Sequence, residues 1–190
     1  MQDLADQYVQ DQSSGLYLAR GHLAPNADFI FYSWMDASYH FINVAPQWQT
    51  FNNQNWKYLE KALRDLVTAR GLDVTVYTGT SGVAQLEDVN GNMVDIYLYN
   101  KNRLPVPRFY WKIAYDPVAN AGVAVVGVNN PHLAAIPADY RICAPLSDHP
   151  LMEGIEPENI KRGVIWACAV EDLARAAPEV PEFPPMGILM

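Results

Sequence analysis

The sequence predicts one α+β domain, and three observations carry that expectation. One long amphipathic helix is written between residues 51 and 69, the segments after it are rich in β-branched and aromatic residues, and no repeat or linker divides the 190 residues. The chain is long enough to bury a core, and with half its residues hydrophobic and 12% aromatic it does not read as disordered.

The elements follow in order. Met1–Gln12 is polar, carries Asp3, Asp6 and Asp11, and lacks the cationic start of a secretory signal; either the protein is intracellular or something precedes this start. Leu16–Arg20 reads as a short strand or extended arm that delivers Arg20 and His22 to a turn at Gly21, and Pro25 ends any regular element. Tyr39–Val44 mixes aromatic and β-branched residues and reads as a strand stopping before Pro46. Phe51–Ala69 is the clearest helix, with Leu59, Leu63, Leu66 and Val67 as its apolar stripe and Gly71 as its stop.

Strands are expected over Asp73–Gly79, Ile96–Tyr99, Arg108–Ala114 and Gly122–Val128, and Asn90-Gly91 within Glu87–Val94 marks a hairpin. A last helix is expected over Val170–Ala176, before a tail broken by Pro178, Pro181, Pro184 and Pro185. The longest apolar stretch, near Ala121–Val128, is far short of a membrane span, so no membrane partner is expected. The net charge of −8 weighs against broad nonspecific nucleic-acid binding and confines any such contact to a small patch. A bound divalent cation with a few arginines can still supply a local positive field.

The densest polar chemistry lies in Arg20, Gly21 and His22, followed by Asn52, Trp56, Glu60 and Arg64 at intervals of four. Hydrolysis of a phosphodiester needs an activated water, charge relief on the phosphoryl oxygens and protection of the departing alkoxide. A neutral histidine suits the first task, a divalent cation the other two, and arginines add fixed bidentate charge. On a regular helix at about 100° per residue, Asn52, Glu60 and Arg64 share one side. A lone Asn ligand leaves most of the coordination to water and substrate, as is typical of magnesium, with Glu60 accepting hydrogen bonds from that water shell.

Bland readings stand beside these. Asn52 could cap the helix, Glu60 and Arg64 could form an ordinary helical ion pair, and Trp56 reads more as core than as a base platform. His40 reads as a packed or partly exposed histidine, and His132 and His149 carry no ligand spacing. Lys101, Arg103, Arg108 and Lys112, interleaved with aromatics, invite nucleic-acid contact, although Arg108–Lys112 also reads as a core strand. Cys143 and Cys168 form no CxxC or Cys/His pattern, so zinc is not expected; two buried thiols and one disulfide both remain open.

The blocks Leu18-Ala19-Arg20-Gly21-His22-Leu23-Ala24-Pro25, Ala27-Asp28-Phe29, Asn43-Val44-Ala45-Pro46-Gln47 and Asn52-x-x-x-Trp56-x-x-x-Glu60 resemble, in order and spacing, the DNA/RNA non-specific endonuclease family. Secreted arthropod nucleases, including those that degrade double-stranded RNA, look most similar. Val106–Lys112 is similar to a family core strand.

The resemblance implies the ββα-metal fold, with a mostly antiparallel sheet, flanking helices and a core at about residues 16–70. It implies magnesium, or manganese or another divalent cation, and sugar-nonspecific cleavage of DNA and RNA. It implies His22 as general base, Asn52 as metal ligand, Arg20 and Arg64 as phosphate and transition-state arginines, and Glu60 as organiser of the ion's water. Asn43 matches a residue whose main chain orients the histidine. The resemblance further implies secretion, and with it a Cys143–Cys168 disulfide worth about 3 kcal/mol by chain entropy. Here Ala19 stands where the family often has Asp. Only 21 residues precede His22, where the family has core strands and another arginine, so the chain reads as a C-terminal fragment of a longer family domain. A partner fragment of the same precursor and a homodimer are therefore both expectations, and the alternative function is a catalytically silent nuclease-fold binding protein.

Overall fold

The computed structural model describes residues 15–99, 103–184 and 186–190. The opening segment Met1–Gln12, Lys101 and Pro185 lie outside the described residues. The fold is α+β, built on an antiparallel sheet in the order β10 (Ile165–Cys168), β9 (Ala121–Val128), β8 (Pro107–Asp116), β3 (Thr75–Val83). A short β11 (Gly187–Ile188) adds in parallel to β9. Every residue of β9 is buried, because both faces of the sheet are covered.

The two faces separate by the alternation of side chains along the strands. Phe109, Trp111 and Ile113 of β8 join Ala124, Val126 and Val128 of β9 in one cluster, covered by Tyr140, Cys143 and Leu173. Cys143 and Cys168 are bonded as a disulfide within that cluster, and Trp166 Nε1 donates to the Cys143 carbonyl at 3.2 Å. The opposite face, with Tyr110 and Ala114 of β8 and Val123 and Val125 of β9, packs against Phe51, Trp56, Leu59 and Leu63.

Those last residues come from the long helix, which departs from the sequence expectation in one respect that matters. It starts with a turn at Gln49–Phe51, passes through a π turn at Asn52–Trp56, and continues as α2 (Lys57–Arg70), while the short helix α1 (Tyr32–Ala37) lies earlier in the chain. Gln54 is non-helical at φ −117° and ψ −109°, so the uniform 100° step that placed Asn52 on the same side as Glu60 and Arg64 does not hold across the kink. Asn55 anchors the kink: it is fully buried, and its Nδ2 donates to the carbonyls of Glu156 at 2.8 Å and Gly163 at 2.7 Å. Gly71, left-handed at φ 62°, stops the helix as expected.

Over the helix-bearing face lies a two-stranded antiparallel ribbon, β1 (Leu18–His22) paired with β2 (Val44–Trp48). The sequence placed a strand over Tyr39–Val44 that ended before Pro46. Instead Phe41–Asn43 is a 3-10 turn, and β2 runs through Pro46. A proline is tolerated there because β2 pairs with only one strand. Its other edge is satisfied by buried Asn129, whose Oδ1 accepts from Trp48 N–H at 2.9 Å and whose Nδ2 donates to the carbonyls of Pro46 and Pro107. The segment between the ribbon strands is unusually bare: Ile30, Tyr32, Phe41 and Ile42 are each more than 80% exposed. The Asn-Gly hairpin is present as β4 (Gln85–Glu87) and β5 (Met93–Asp95), followed by the pair β6 (Tyr97–Tyr99) and β7 (Arg103–Pro105). α3 (Val170–Ala176) has the predicted bounds.

Candidate active site

Strand β1 sets the first group of side chains. Arg20 and His22, two apart, share one face of the ribbon, and Gly21 between them faces inward. Gly21 is not the turn residue the sequence reading made it. It sits inside the strand, opposite Ala45, where a Cβ would meet Gln47 Oε1 at 2.3 Å and Tyr110 Oη at 2.7 Å. The glycine lets β1 pass close to the Gln47 side chain of β2 and lets the ribbon lie directly on β8, where Tyr110 Oη donates to the Ala45 carbonyl at 2.8 Å.

His22 makes its ring hydrogen bond to the main chain of Arg20, while Nε2 is buried without a partner among the described residues. Burial holds the imidazole below the usual 6.5, partly opposed by the bond to Arg20, so the ring is neutral at neutral pH. Tyr39 packs edge-on at 4.5 Å between centroids. The Arg20 guanidinium lies 5.4 Å from the centroid of the Phe41 ring.

Asn43 acts one residue further along than the resemblance implied. Its main-chain carbonyl accepts from Leu23 N–H at 2.8 Å, not from the imidazole. Its side chain pairs both ways with the Ala24 main chain at 2.9 Å and also donates to the Ser38 carbonyl. The result is a fixed loop after His22.

Asn52 is not a helix cap, because the helical run already begins at Gln49. Its amide nitrogen donates to Gln49 Oε1 at 3.1 Å, which leaves the carbonyl oxygen with no donor among the described residues. That donor set, one oriented neutral oxygen, fits an ion that keeps most of its water. Among the described residues no group of three or more His, Cys, Asp or Glu could hold a metal by itself.

Glu60 and Arg64 do not pair with each other. Arg64 donates to Asp28 Oδ1 at 2.7 Å, whereas Glu60 lies 3.8 Å from Lys112 Nζ. Pro25, Asp28, Glu60, Arg64 and Lys112 line one cavity of about 130 Å³. Burial raises the Glu60 carboxyl to about 7, against the pull of Lys112, and the same burial lowers Lys112 to about 8. Asp28 had no role in the residue-by-residue reading, and Lys112 was placed there with the basic cluster rather than beside Glu60. Their signals were present: Asp28 lies in a quoted block, and Lys112 is a lone cation in the apolar run Phe109–Ala114. The basic cluster does not form one surface, since Arg108 stacks on Tyr140 and Lys112 is 3% exposed. Trp56 is core, at 1% exposed, and His40 is exposed. His149 is buried and satisfied, bonded to the Leu189 carbonyl and Leu151 N–H.

A ββα unit with a neutral histidine, an arginine on the same face and an oriented asparagine oxygen calls for comparison with known proteins. The profile of the DNA/RNA non-specific endonuclease family matches residues 1–173. The chain belongs to that family. Among curated relatives, a salivary endonuclease of Lutzomyia longipalpis is 36% identical over 67% of this chain and 31% of its own length. Salivary protein Tsal1 of Glossina morsitans morsitans is 27% identical over 86% of this chain and 41% of its own. Mitochondrial Endonuclease G of Bos taurus is 31% identical over 64% and 42%. The chain thus spans between 31% and 42% of the length of these relatives. The solved EndoG/EndoGI complex matches 90% of this chain and 60% of its counterpart with a TM-score of 0.53 at 19% identity, a likeness of fold.

Proposed function

We propose that this site hydrolyses the phosphodiester bonds of DNA and RNA, with His22 as general base and magnesium as the working ion. The observation that carries the reading is the state of His22. It shares a strand face with Arg20, its ring bonds to the Arg20 main chain, and burial holds it below the usual histidine value, so that it is neutral and able to accept a proton. The His22 imidazole takes a proton from water, and Arg20, on the same ribbon face, neutralises charge on the phosphoryl oxygens. Arg64, oriented by Asp28, supplies further charge, and Glu60 accepts hydrogen bonds from water around the ion. Asn52 would hold the ion, which when bound stabilises the phosphoryl and leaving 3′ oxygens. Every assigned contact is to phosphate, water or ion, so cleavage is indifferent to base sequence.

Family membership and relatives named as nucleases support the hydrolase reading. The salivary relatives and the disulfide support a secreted protein. We read the described residues as parts of one domain. The test is digestion of plasmid and double-stranded RNA by this chain with magnesium. Replacing His22 with Ala is expected to lower turnover by about 10²–10⁴-fold, and chelation to abolish it. Undiminished activity of His22→Ala would remove the assigned base.

One finding favours a second reading, a nuclease-fold binding protein that needs a partner chain: the bare apolar segment Ile30–Ile42 beside the ribbon. Metal-dependent turnover by this chain alone rules that reading out, and recovery only with an upstream family segment or a second chain supports it.

A further inference from the structure

We propose that Lys112 is a positioning residue of the site: from the middle of β8 its ammonium ties the main-chain carbonyl of Leu23, the residue after His22, to the Glu60 carboxylate on α2. The proposal rests on His22 being the base, as argued above.

The geometry is a brace between three elements. Lys112 Nζ donates to Leu23 O at 2.8 Å and to Thr78 Oγ1 at 3.1 Å, and stands 3.8 Å from Glu60 Oε1. Thr78 is the residue directly opposite Lys112 in the β3–β8 register, so the sheet itself aims the side chain. Trp56 packs beneath it, with Nζ 5.5 Å from the ring centroid, and Asp28 and Arg64 share the cavity wall beyond. The ribbon loop, the helix and the sheet therefore meet at one cation.

Space filling does not account for this residue. Its neighbours on the same strand face, Tyr110 and Ala114, pack in the helix-covered cluster, and a methionine would fill the same volume without desolvating a charge. What a methionine lacks is the set of polar contacts. Leu23 is held from the other side by Asn43, through Leu23 N–H at 2.8 Å, so Lys112 and Asn43 together clamp the peptide groups that follow His22. At 3% exposure Lys112 does not touch a substrate, and its effect on turnover passes through His22 and Glu60.

The experiment uses the 190-residue chain carrying Lys112→Met, with three readouts. Hydrogen exchange at the Leu23 and Ala24 amides is expected to speed up by about tenfold, while β9 amides and the thermal midpoint stay at wild-type values. The His22 ring titration, followed by NMR with His149 as internal reference, is expected to shift, because the peptide groups that follow the imidazole lose one of their two anchors. If the chain turns over, kcat is expected to fall by about 100-fold with KM unchanged. A folded Lys112→Met protein with wild-type exchange at Leu23 and Ala24 and a wild-type His22 titration overturns the proposal. Should Lys112→Met fail to fold, Thr78→Val decides: faster exchange at Leu23 supports the brace, and unchanged exchange overturns it. Exchange and the ring titration need no nuclease activity, so failure of the brace and failure of the hydrolase reading are distinguishable.

Discussion

Gly21 offers a direct test of how the ribbon reaches the sheet. Its backbone is not left-handed, so Gly21→Ala carries no conformational penalty of that kind and the whole cost is steric. The added methyl would lie 2.3 Å from Gln47 Oε1, 2.5 Å from Gln47 Cβ and 2.7 Å from Tyr110 Oη. The Gln47 oxygen ends a flexible side chain, but the Cβ is fixed to the β2 backbone and Gln47 is fully buried. Relief of the Gln47 contact needs β1 to move away from β2 within the ribbon, and relief of the Tyr110 contact needs the ribbon to shift from β8, which breaks the bond from Tyr110 Oη to the Ala45 carbonyl. Overpacking of this kind costs about 1–3 kcal/mol, and loss of a buried hydrogen bond adds about 1 kcal/mol. A total of about 2–4 kcal/mol corresponds to a fall in Tm of roughly 4–16 °C for a chain of this size. The assay is a thermal melt with Gly154→Ala as control, because Gly154 has nothing within 4 Å of its built Cβ and pays only for its φ of 72°. Since Gly21 lies between Arg20 and His22, turnover should fall further than stability explains. A Gly21→Ala protein that melts with the wild type, or only as far as Gly154→Ala, would refute the close-approach argument.

Three further outcomes are expected. Replacing both Cys143 and Cys168 with Ser removes a crosslink spanning 25 residues and should cost about 3 kcal/mol in denaturant unfolding; an unchanged midpoint would show that the bridge contributes nothing. Asn52→Ala deletes a side chain with a single bond to Gln49, so stability should change by less than about 0.5 kcal/mol while the magnesium needed for half-maximal activity rises; an unaltered magnesium titration removes Asn52 from the site. Burial lowers His22, His132 and His149, so below about pH 6.5 the unfolded chain binds protons the native one refuses, and stability falls on acidification. Glu60, raised to about 7, has the opposite sign: its contribution is present at low pH and is lost as pH rises through about 7. Glu60→Gln should therefore steepen the loss of Tm between about pH 7 and about pH 5, and a slope equal to wild type contradicts the assignment.

Local patterns were legible where one element carried its own signal. The helix stripe of Leu59 and Leu63 with its Gly71 stop, the Asn-Gly hairpin, β9 and α3 all appear where periodicity and turn chemistry put them. Tyr39–Val44 misled because aromatic and β-branched content does not distinguish a strand from a turn. There the Asn43 side chain, bonded to Ala24 and Ser38, competes for the backbone. β10 was missed because Ile165–Cys168 is apolar throughout and has no alternation to read.

By itself the sequence determined the kinds of chemistry present: a histidine two residues from an arginine on one strand, an asparagine ahead of a helix, and motif spacing sufficient to place the chain in its family. The tertiary structure alone decided how those parts are held. The kink at Gln54 turns Asn52 out of the regular helical phase because Asn55 is tied to carbonyls 101 and 108 residues away. Arg64 is taken by Asp28, 36 residues earlier, and Lys112 meets Leu23, 89 residues earlier, because β8 passes beneath the ribbon. Side-chain type and short-range spacing are properties of a segment, whereas the partner of a charge and the burial of a cation depend on which distant segments pack together.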